Sequence, residues 1–300
     1  MPVVRLATRG SPLARAQAEA VGALLCGLRP DLDVELVVVR TRGDRLASRP
    51  LSEIGGQGVF AKEVQRTVVE GEADVAVHSA KDLPPQQVDR LVLAAFPPRE
   101  DPRDALVGVR LRDLSPGAKI ATGSPRRRAQ LANLRPDLTF VEARGNIATR
   151  LAMVEHGLAD AVVVAACATD RLGISDRLAE RMAPSVMLPQ VGQGALAVEC
   201  RGDDEGLRTL LAEIDHEPSR RAVIAERSML ATMGASCSVP VGGWAQVEGA
   251  DCQVHLRGLM ASADGRVLLH AEAWGDNPEA VGREVADRLL VDCGGRALEG

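Results

Sequence analysis

Where the apolar run Val75-Ala76-Val77 stops, the segment His78-Ser79-Ala80-Lys81-Asp82-Leu83-Pro84 sets an imidazole, a hydroxyl, an ammonium and a carboxylate side by side. A carboxylate in such company can hold a proton or steady a developing cation. Open α/β sheets keep chemistry of this kind beyond the carboxyl ends of their strands. Pro84 and Pro85 cannot extend a sheet ladder, so Lys81 and Asp82 belong at the edge of a strand rather than inside it. Read alone, the pair also fits a loop ion pair.

Two further runs have the form of anion sites. Thr8-Arg9-Gly10-Ser11-Pro12 lies where a first strand meets its helix, so free backbone N–H groups, Arg9 and Ser11 face one point. The same residues also describe an ordinary cap with proline in the first turn. Thr122-Gly123-Ser124-Pro125-Arg126-Arg127-Arg128 repeats the plan. Basic residues in a first turn oppose the helix dipole, so Arg126 and Arg127 require a compensating anion. Successive helical residues turn by about 100°, so three arginines cannot share a face and Arg128 is the one expected in solvent. Arg144, Arg150 and Arg171 also follow predicted strands. A guanidinium grips a carboxylate through two parallel hydrogen bonds, so the set implies a ligand bearing several carboxylates or phosphates. Surface salt bridges are the alternative, but they do not explain why the arginines recur at one edge. In Gly234-Ala235-Ser236-Cys237-Ser238-Val239-Pro240, small residues around Cys237 leave it exposed enough to be alkylated, whereas the other five cysteines sit in apolar surroundings. Spacing alone nevertheless favours a structural cysteine.

The elements that must hold these groups alternate. Val3–Ala7 reads as a strand, Pro12–Leu25 as a helix and Val34–Val39 as a second strand, an order that predicts a parallel sheet with right-handed crossovers. Residues 41–58 are glycine-rich and read as a mobile loop, and 60–70 as a helix. Pro97-Pro98-Arg99-Glu100-Asp101-Pro102 marks a hinge into a second unit. There the rhythm restarts, with strands at 119–121, 139–141 and 161–165 and helices at 126–134 and 147–156. The strand 196–200 returns to the first unit, giving two crossings suited to closure around a ligand. From Glu217 a helix runs through Met233, then strands at 253–259 and 267–273 suggest an antiparallel sheet before a last helix at 278–291.

Composition narrows the class. A net charge of −5 with 26% charged residues lacks the basicity of nucleic-acid binders, and the absence of tyrosine, with three phenylalanines and two tryptophans, leaves no stacking platform for single strands. No signal peptide or membrane span is evident. Six scattered cysteines without a C-x-x-C pair argue against a metal site and against a disulfide framework, which implies a reduced, cytoplasmic setting. No long exposed apolar stripe is evident, so a monomer is expected.

Together the runs TRGSPLA (8–14), TRGD (41–44), HSAKDLP (78–84), EDPRDA (100–105), TGSPRR (122–127), RGN with TRL (144–151), RLG (171–173), VGQGALAVECR (191–201), AER (225–227) and CSVPVG (237–242) resemble the porphobilinogen deaminase family over nearly the whole chain. The resemblance implies an α/β fold of two periplasmic-binding-protein-like domains around a cleft, with a small α+β C-terminal domain. Its boundaries would be 1–96 with 196–215, 97–195 and 216–300. It implies head-to-tail condensation of four porphobilinogen molecules to hydroxymethylbilane with loss of ammonia, in tetrapyrrole biosynthesis. The product grows on a dipyrromethane cofactor held by a thioether to Cys237, which reverses the reading from spacing. Asp82 matches the catalytic aspartate. Arg9, Arg126, Arg127, Arg144, Arg150 and Arg171 match carboxylate-binding positions, with Ser11, Lys81, Thr122 and Ser124 in support.

The chain departs from the family pattern in four places. Glu53 and Gln57 stand where lysines are common, Gly123 replaces a serine, Gly234-Ala235-Ser236 replaces Glu-Gly-Gly, and Ala168-Thr169 replaces Gly-Leu. A catalytically impaired paralogue would carry such changes. A non-enzymatic dianion-binding protein would share the lobes and arginines but need neither Asp82 beside Lys81 nor an exposed Cys237.

Overall fold

The computed structural model describes residues 3–41, 58, 61–84, 86, 88–234, 239–249 and 252–298. The predicted glycine-rich loop, with Glu53 and Gln57, lies outside them except at its ends. So do Cys237 and the residues on either side of it. The chain forms two compact units, 1–100 with 195–220 and 101–194 with 221–300. The boundaries at 100/101 and 194/195 fall in the proline-rich and VGQGA segments.

In the first unit, β1 (Val3–Arg9), α1 (Pro12–Leu28) and β2 (Asp33–Val39) form the expected βαβ start. Ser11 caps α1 by accepting from the Ala14 N–H at 3.2 Å, and Pro12 occupies the first turn, where its missing N–H costs nothing. Ala14, Ala18, Val21 and Leu25 recur at helical spacing and form the buried stripe. After α2 (Lys62–Val69), β3 (Val75–Ser79) pairs in parallel with β1, and β4 (Leu91–Ala95) lies at the far edge.

The second unit begins with β5 (Asp104–Gly108), β6 (Lys119–Ala121) and α3 (Pro125–Leu134). It continues with β7 (Thr139–Val141), α4 (Ile147–Glu155), β8 (Ala161–Ala165), α5 (Ala166–Arg171) and β9 (Leu178–Arg181). Its first sheet has the order β7-β6-β8-β5-β9, with β6 parallel to both neighbours and β5 antiparallel to both of its own. The chain then returns to the first unit as β10 (Leu196–Arg201), which lies antiparallel between β3 and β4, completing the order β2-β1-β3-β10-β4.

Both sheets are therefore mixed, which corrects the expectation of parallel sheets. The right-handed crossover rule governs strands joined by a βαβ unit. Neither β10, fed by the chain returning from the other unit, nor β5, which opens the second unit, is the product of one.

In the first unit, alternate residues of the same strands serve opposite layers. Leu6, Val75, Val77 and Val198 pack with α1 and α6 (Glu205–Ala212), whereas Ala7 and Ala76 pack with Val64 and Val68 of α2. The last part of the chain contains α7 (Glu217–Met233), the antiparallel strands β11 (Val241–Glu248), β12 (Gln253–Ala261) and β13 (Leu268–Gly275), and α8 (Pro278–Asp287). Met229, Val285 and Leu289 close over this sheet. At Gly258 of β12 a side chain would stand 2.5 Å from Val285 Cγ1 and 2.8 Å from Met229 Sδ, so only glycine admits the helices so close. Both tryptophans belong to this sheet, Trp244 on β11 under Arg257 and Trp274 on β13 stacked on His255 with ring centroids 4.1 Å apart. Cys252, expected in apolar surroundings, is instead exposed in the turn between β11 and β12, with φ of 51°.

No helix among the described residues is long and apolar enough to cross a membrane. None of their His, Cys, Asp and Glu side chains form a group that could hold a metal ion.

Candidate active site

β3 delivers its charged cluster to the end of the strand. Ala80–Asp82 form a single 3-10 turn immediately after Ser79, anchored by Ala80 N–H donating to the Ala195 carbonyl at 3.0 Å. Asp82 Oδ2 lies 4.0 Å from Arg9 Nη1, and both side chains are partly exposed. β1 and β3 are parallel neighbours, so their carboxyl ends place Arg9, Ser11, Lys81 and Asp82 at one edge of the sheet. Buried Gln17 of α1 donates its Nε2 to Ser79 Oγ at 2.9 Å, tying the helix to the residue before the turn. Ser11 spends its hydroxyl oxygen on the helix cap.

In the second unit, Ser124 caps α3 by accepting from Arg127 N–H, and its own N–H donates to Thr122 Oγ1. Arg126 and Arg127 are buried, whereas Arg128 is exposed over the Phe140 ring, as the helical geometry predicts. The anion that their position requires is internal: Asp104, fully buried at the start of β5. Arg126 Nη1 donates to Asp104 Oδ2 at 2.7 Å, and Arg127 donates to Oδ1 from Nε at 3.0 Å and Nη2 at 2.7 Å. Gln193 Nε2 adds a fourth donor at 2.9 Å. Burial alone would raise the Asp104 carboxyl, but the two guanidiniums outweigh it and hold the group well below the usual carboxylate range.

One carboxylate faces two guanidiniums, so a positive charge remains over. The two arginines are not equivalent. Arg127 Nη1 also donates to the Val163 carbonyl, so each of its three nitrogens is engaged within the unit. Arg126 donates only from Nη1, to Asp104 and Leu188, while its buried Nε and Nη2 have no partner among the described residues. Gly242 of β11 runs alongside, with a carbon added there falling 3.4 Å from Arg126 Cδ. β11 begins four residues after Cys237 in the sequence.

The remaining arginines follow β7 and β8. Arg144 Nη2 pairs with Glu142 at 2.8 Å, Arg150 Nε donates to the Gly145 carbonyl at 3.0 Å, and Arg171 Nη2 donates to the Gly194 carbonyl at 2.8 Å. Asn146 caps α4 and sets the phase of Arg150. Gly123 has a steric reason: a Cβ there would stand 2.7 Å from both the Ala143 carbonyl and Glu142 Oε1. Backbone occupies the space that the family's serine would need.

Sequence reasoning missed Asp104, Gln193 and a four-membered network beside them. Asp101 accepts from Arg103 and Arg181, and Arg181 also holds Asp170, which precedes Arg171. Asp101 and Asp104 lie in the EDPRDA run, and its acidity was the available signal. Burial would raise the Asp101 carboxyl, yet these guanidinium hydrogen bonds pull it down to about 2. A folded value below the unfolded one of about 3.9 means that the network stabilises the protein above about pH 4. That contribution is lost as pH falls toward 2. Urea midpoints measured at pH 5 and pH 3 should differ more in the wild type than in Asp101→Asn, and equal differences would refute the assignment.

The family model described as "Porphobilinogen deaminase, dipyromethane cofactor binding domain" matches residues 4–209, and that for the C-terminal domain of the same family matches 220–291. The chain belongs to the porphobilinogen deaminase family. It is 46% identical over 304 residues to the porphobilinogen deaminase of Xylella fastidiosa strain 9a5c, covering 99% of this chain and 98% of that protein. It is 44% identical to that of a Roseiflexus species, covering 98% and 97%. Likeness to solved structures is more distant. The substrate-binding domain of a putative molybdenum ABC transporter from Clostridium difficile superposes with a TM-score of 0.44 at 12% identity, over 74% of this chain and 95% of that one.

Proposed function

We propose that this chain joins four porphobilinogen molecules head to tail, releasing ammonia at each step, and that one water then frees the tetramer as hydroxymethylbilane. A dipyrromethane held through Cys237 would supply the free pyrrole carbon that accepts the first unit, each later unit being joined to the one before it. The observation that carries this reading at the level of residues is Arg126: a guanidinium with two buried donors unpaired among the described residues, in a cluster with surplus positive charge, suits a carboxylate from outside the protein. Each pyrrole of the cofactor and substrate brings an acetate and a propionate. Arg126 would therefore hold a cofactor carboxylate, with Arg127 beside it fixing the geometry through Asp104. Arg144, Arg150 and Arg171 extend the same row, with Thr122 and Ser124 shaping its floor.

Arg9, Ser11 and Lys81 bind the incoming unit beside Asp82. Asp82 acts while ammonia leaves: its carboxylate stabilises the substrate's developing cation and orients the pyrrole N–H. The enzyme is proposed to work as a cytoplasmic monomer of three domains, divided as the sequence suggests.

Intact mass tests the attachment. The purified protein should exceed its sequence mass by two pyrrole units, and Cys237→Ser should remove that increment together with turnover. A wild-type chain at its bare mass that still forms porphyrin from porphobilinogen after acid oxidation would overturn the assignment of Cys237.

A further inference from the structure

Behind β3 lies a polar cluster that the chemistry above does not use. His78, Gln65 and Glu199 are 6%, 3% and 2% exposed, in a layer otherwise built from Ala7, Val64, Val68 and Ala76. Gln65 Nε2 donates to Glu199 Oε2 at 2.8 Å. His78 Nε2 stands 3.1 Å from the same oxygen, within ion-pair range but out of line for a hydrogen bond. Gln65 Oε1 and His78 Nε2 both lack a hydrogen-bond partner among the described residues. A buried carboxylate beside an imidazole and an amide that each keep one polar atom without a partner among the described residues does not gain stability over apolar side chains of similar volume. What the cluster does supply is direction, because the Gln65–Glu199 hydrogen bond aims the carboxylate from which His78 Nε2 stands 3.1 Å away, fixing an orientation that packed methyl groups leave free to slip.

Each member belongs to a different element, and all three elements frame the segment that carries Asp82. His78 precedes Asp82 by four residues on β3 itself. Glu199 lies on β10, where Leu196 pairs with Ser79 and Ala195 accepts from Ala80 N–H. Gln65 lies on α2, and Gly58, four residues ahead of that helix, packs on Pro84 so closely that an added carbon would stand 3.1 Å from its ring. We infer that Glu199, with His78 and Gln65, is a positioning device for Asp82: a buried polar lock that fixes the turn Ala80–Asp82 against β10 and α2. The inference rests on the reading of Asp82 as the catalytic carboxylate.

The test replaces the lock by apolar side chains. In the holoenzyme, His78→Leu combined with Glu199→Leu should keep the cofactor mass increment, a KM within about threefold of wild type and a urea midpoint, read by circular dichroism, no lower than wild type. Its kcat should fall about 10- to 100-fold, the cost of displacing a reacting group by a fraction of an ångström. Glu199→Gln, which can still bond Gln65, should recover kcat to within about fivefold. A double variant with wild-type kcat, or one whose loss of activity matches its loss of folded protein, overturns the proposal. If the double variant does not fold, Gln65→Leu replaces it, and unchanged kcat there overturns the proposal equally. Asp82→Ala is measured in parallel. If that variant is active, the reading of Asp82 fails. If it is inactive while the apolar variants turn over normally, only the positioning role fails.

Discussion

Asp82→Ala will lower turnover by about 10²- to 10⁴-fold while leaving cofactor attachment and ligand affinity within a few-fold of wild type. The size follows from what the carboxylate does. On the proposed reading, bound substrate is held chiefly by arginines acting on its peripheral carboxylates, and these contacts are the same before and after ammonia departs. Asp82, in the role proposed for it, acts on charge that appears only as the carbon–nitrogen bond breaks, so its loss should fall on kcat rather than on binding. Asp82 is partly exposed and sits in a one-turn segment, so alanine leaves no buried hole and no unpaired buried partner. Pre-steady-state release of ammonia from the loaded holoenzyme measures the effect directly. Retention of most activity would remove Asp82 from the mechanism, and a simple dianion-binding protein would show no change at all.

The second large effect concerns stability. Asp104→Asn keeps the shape of the side chain but strands the guanidiniums of Arg126 and Arg127, which are 4% and 6% exposed, without their counter-ion. Removing one partner from a buried charge cluster costs about 3–5 kcal/mol, because the remaining charges stay desolvated. The urea midpoint should fall accordingly, and cofactor loading should fall with it, since Arg126 loses the contact that aims it. A cost below about 1 kcal/mol would mean that the guanidiniums find water or another anion. The sign with pH follows the same logic as for Asp101. The folded carboxyl is held below its unfolded value, so its contribution is complete at neutral pH and is lost only in strong acid.

The parts of this molecule that are legible in its sequence are those fixed by local rules. Ser11-Pro12 and Ser124-Pro125 announce the starts of α1 and α3, and the unbroken apolar run Ala161–Ala165 announces a strand buried on both faces. Of the strands that escaped notice, β4 is an apolar run, Leu91–Ala95, of the same kind, but the other three lack such signals. β5 opens on Asp104 straight after a proline-rich hinge, β9 reads Leu-Ala-Glu-Arg, and β11 carries adjacent glycines that mimic a turn. The charge balance at Arg126 and Arg127 was visible only as a mismatch with the helix dipole. Its resolution lay 22 residues away on one of those unannounced strands. The lock behind Asp82 was hidden for a related reason: Gln65, His78 and Glu199 are ordinary residues until sheet and helix bring them together.

The placement of both tryptophans on the C-terminal sheet, in a chain with no tyrosine, decides how this protein can be watched as it denatures. Its intrinsic fluorescence reports on β11 and β13 alone, so an emission trace is blind to melting of the first unit. Emission and far-ultraviolet dichroism will trace coincident curves only if both units come apart in a single cooperative step.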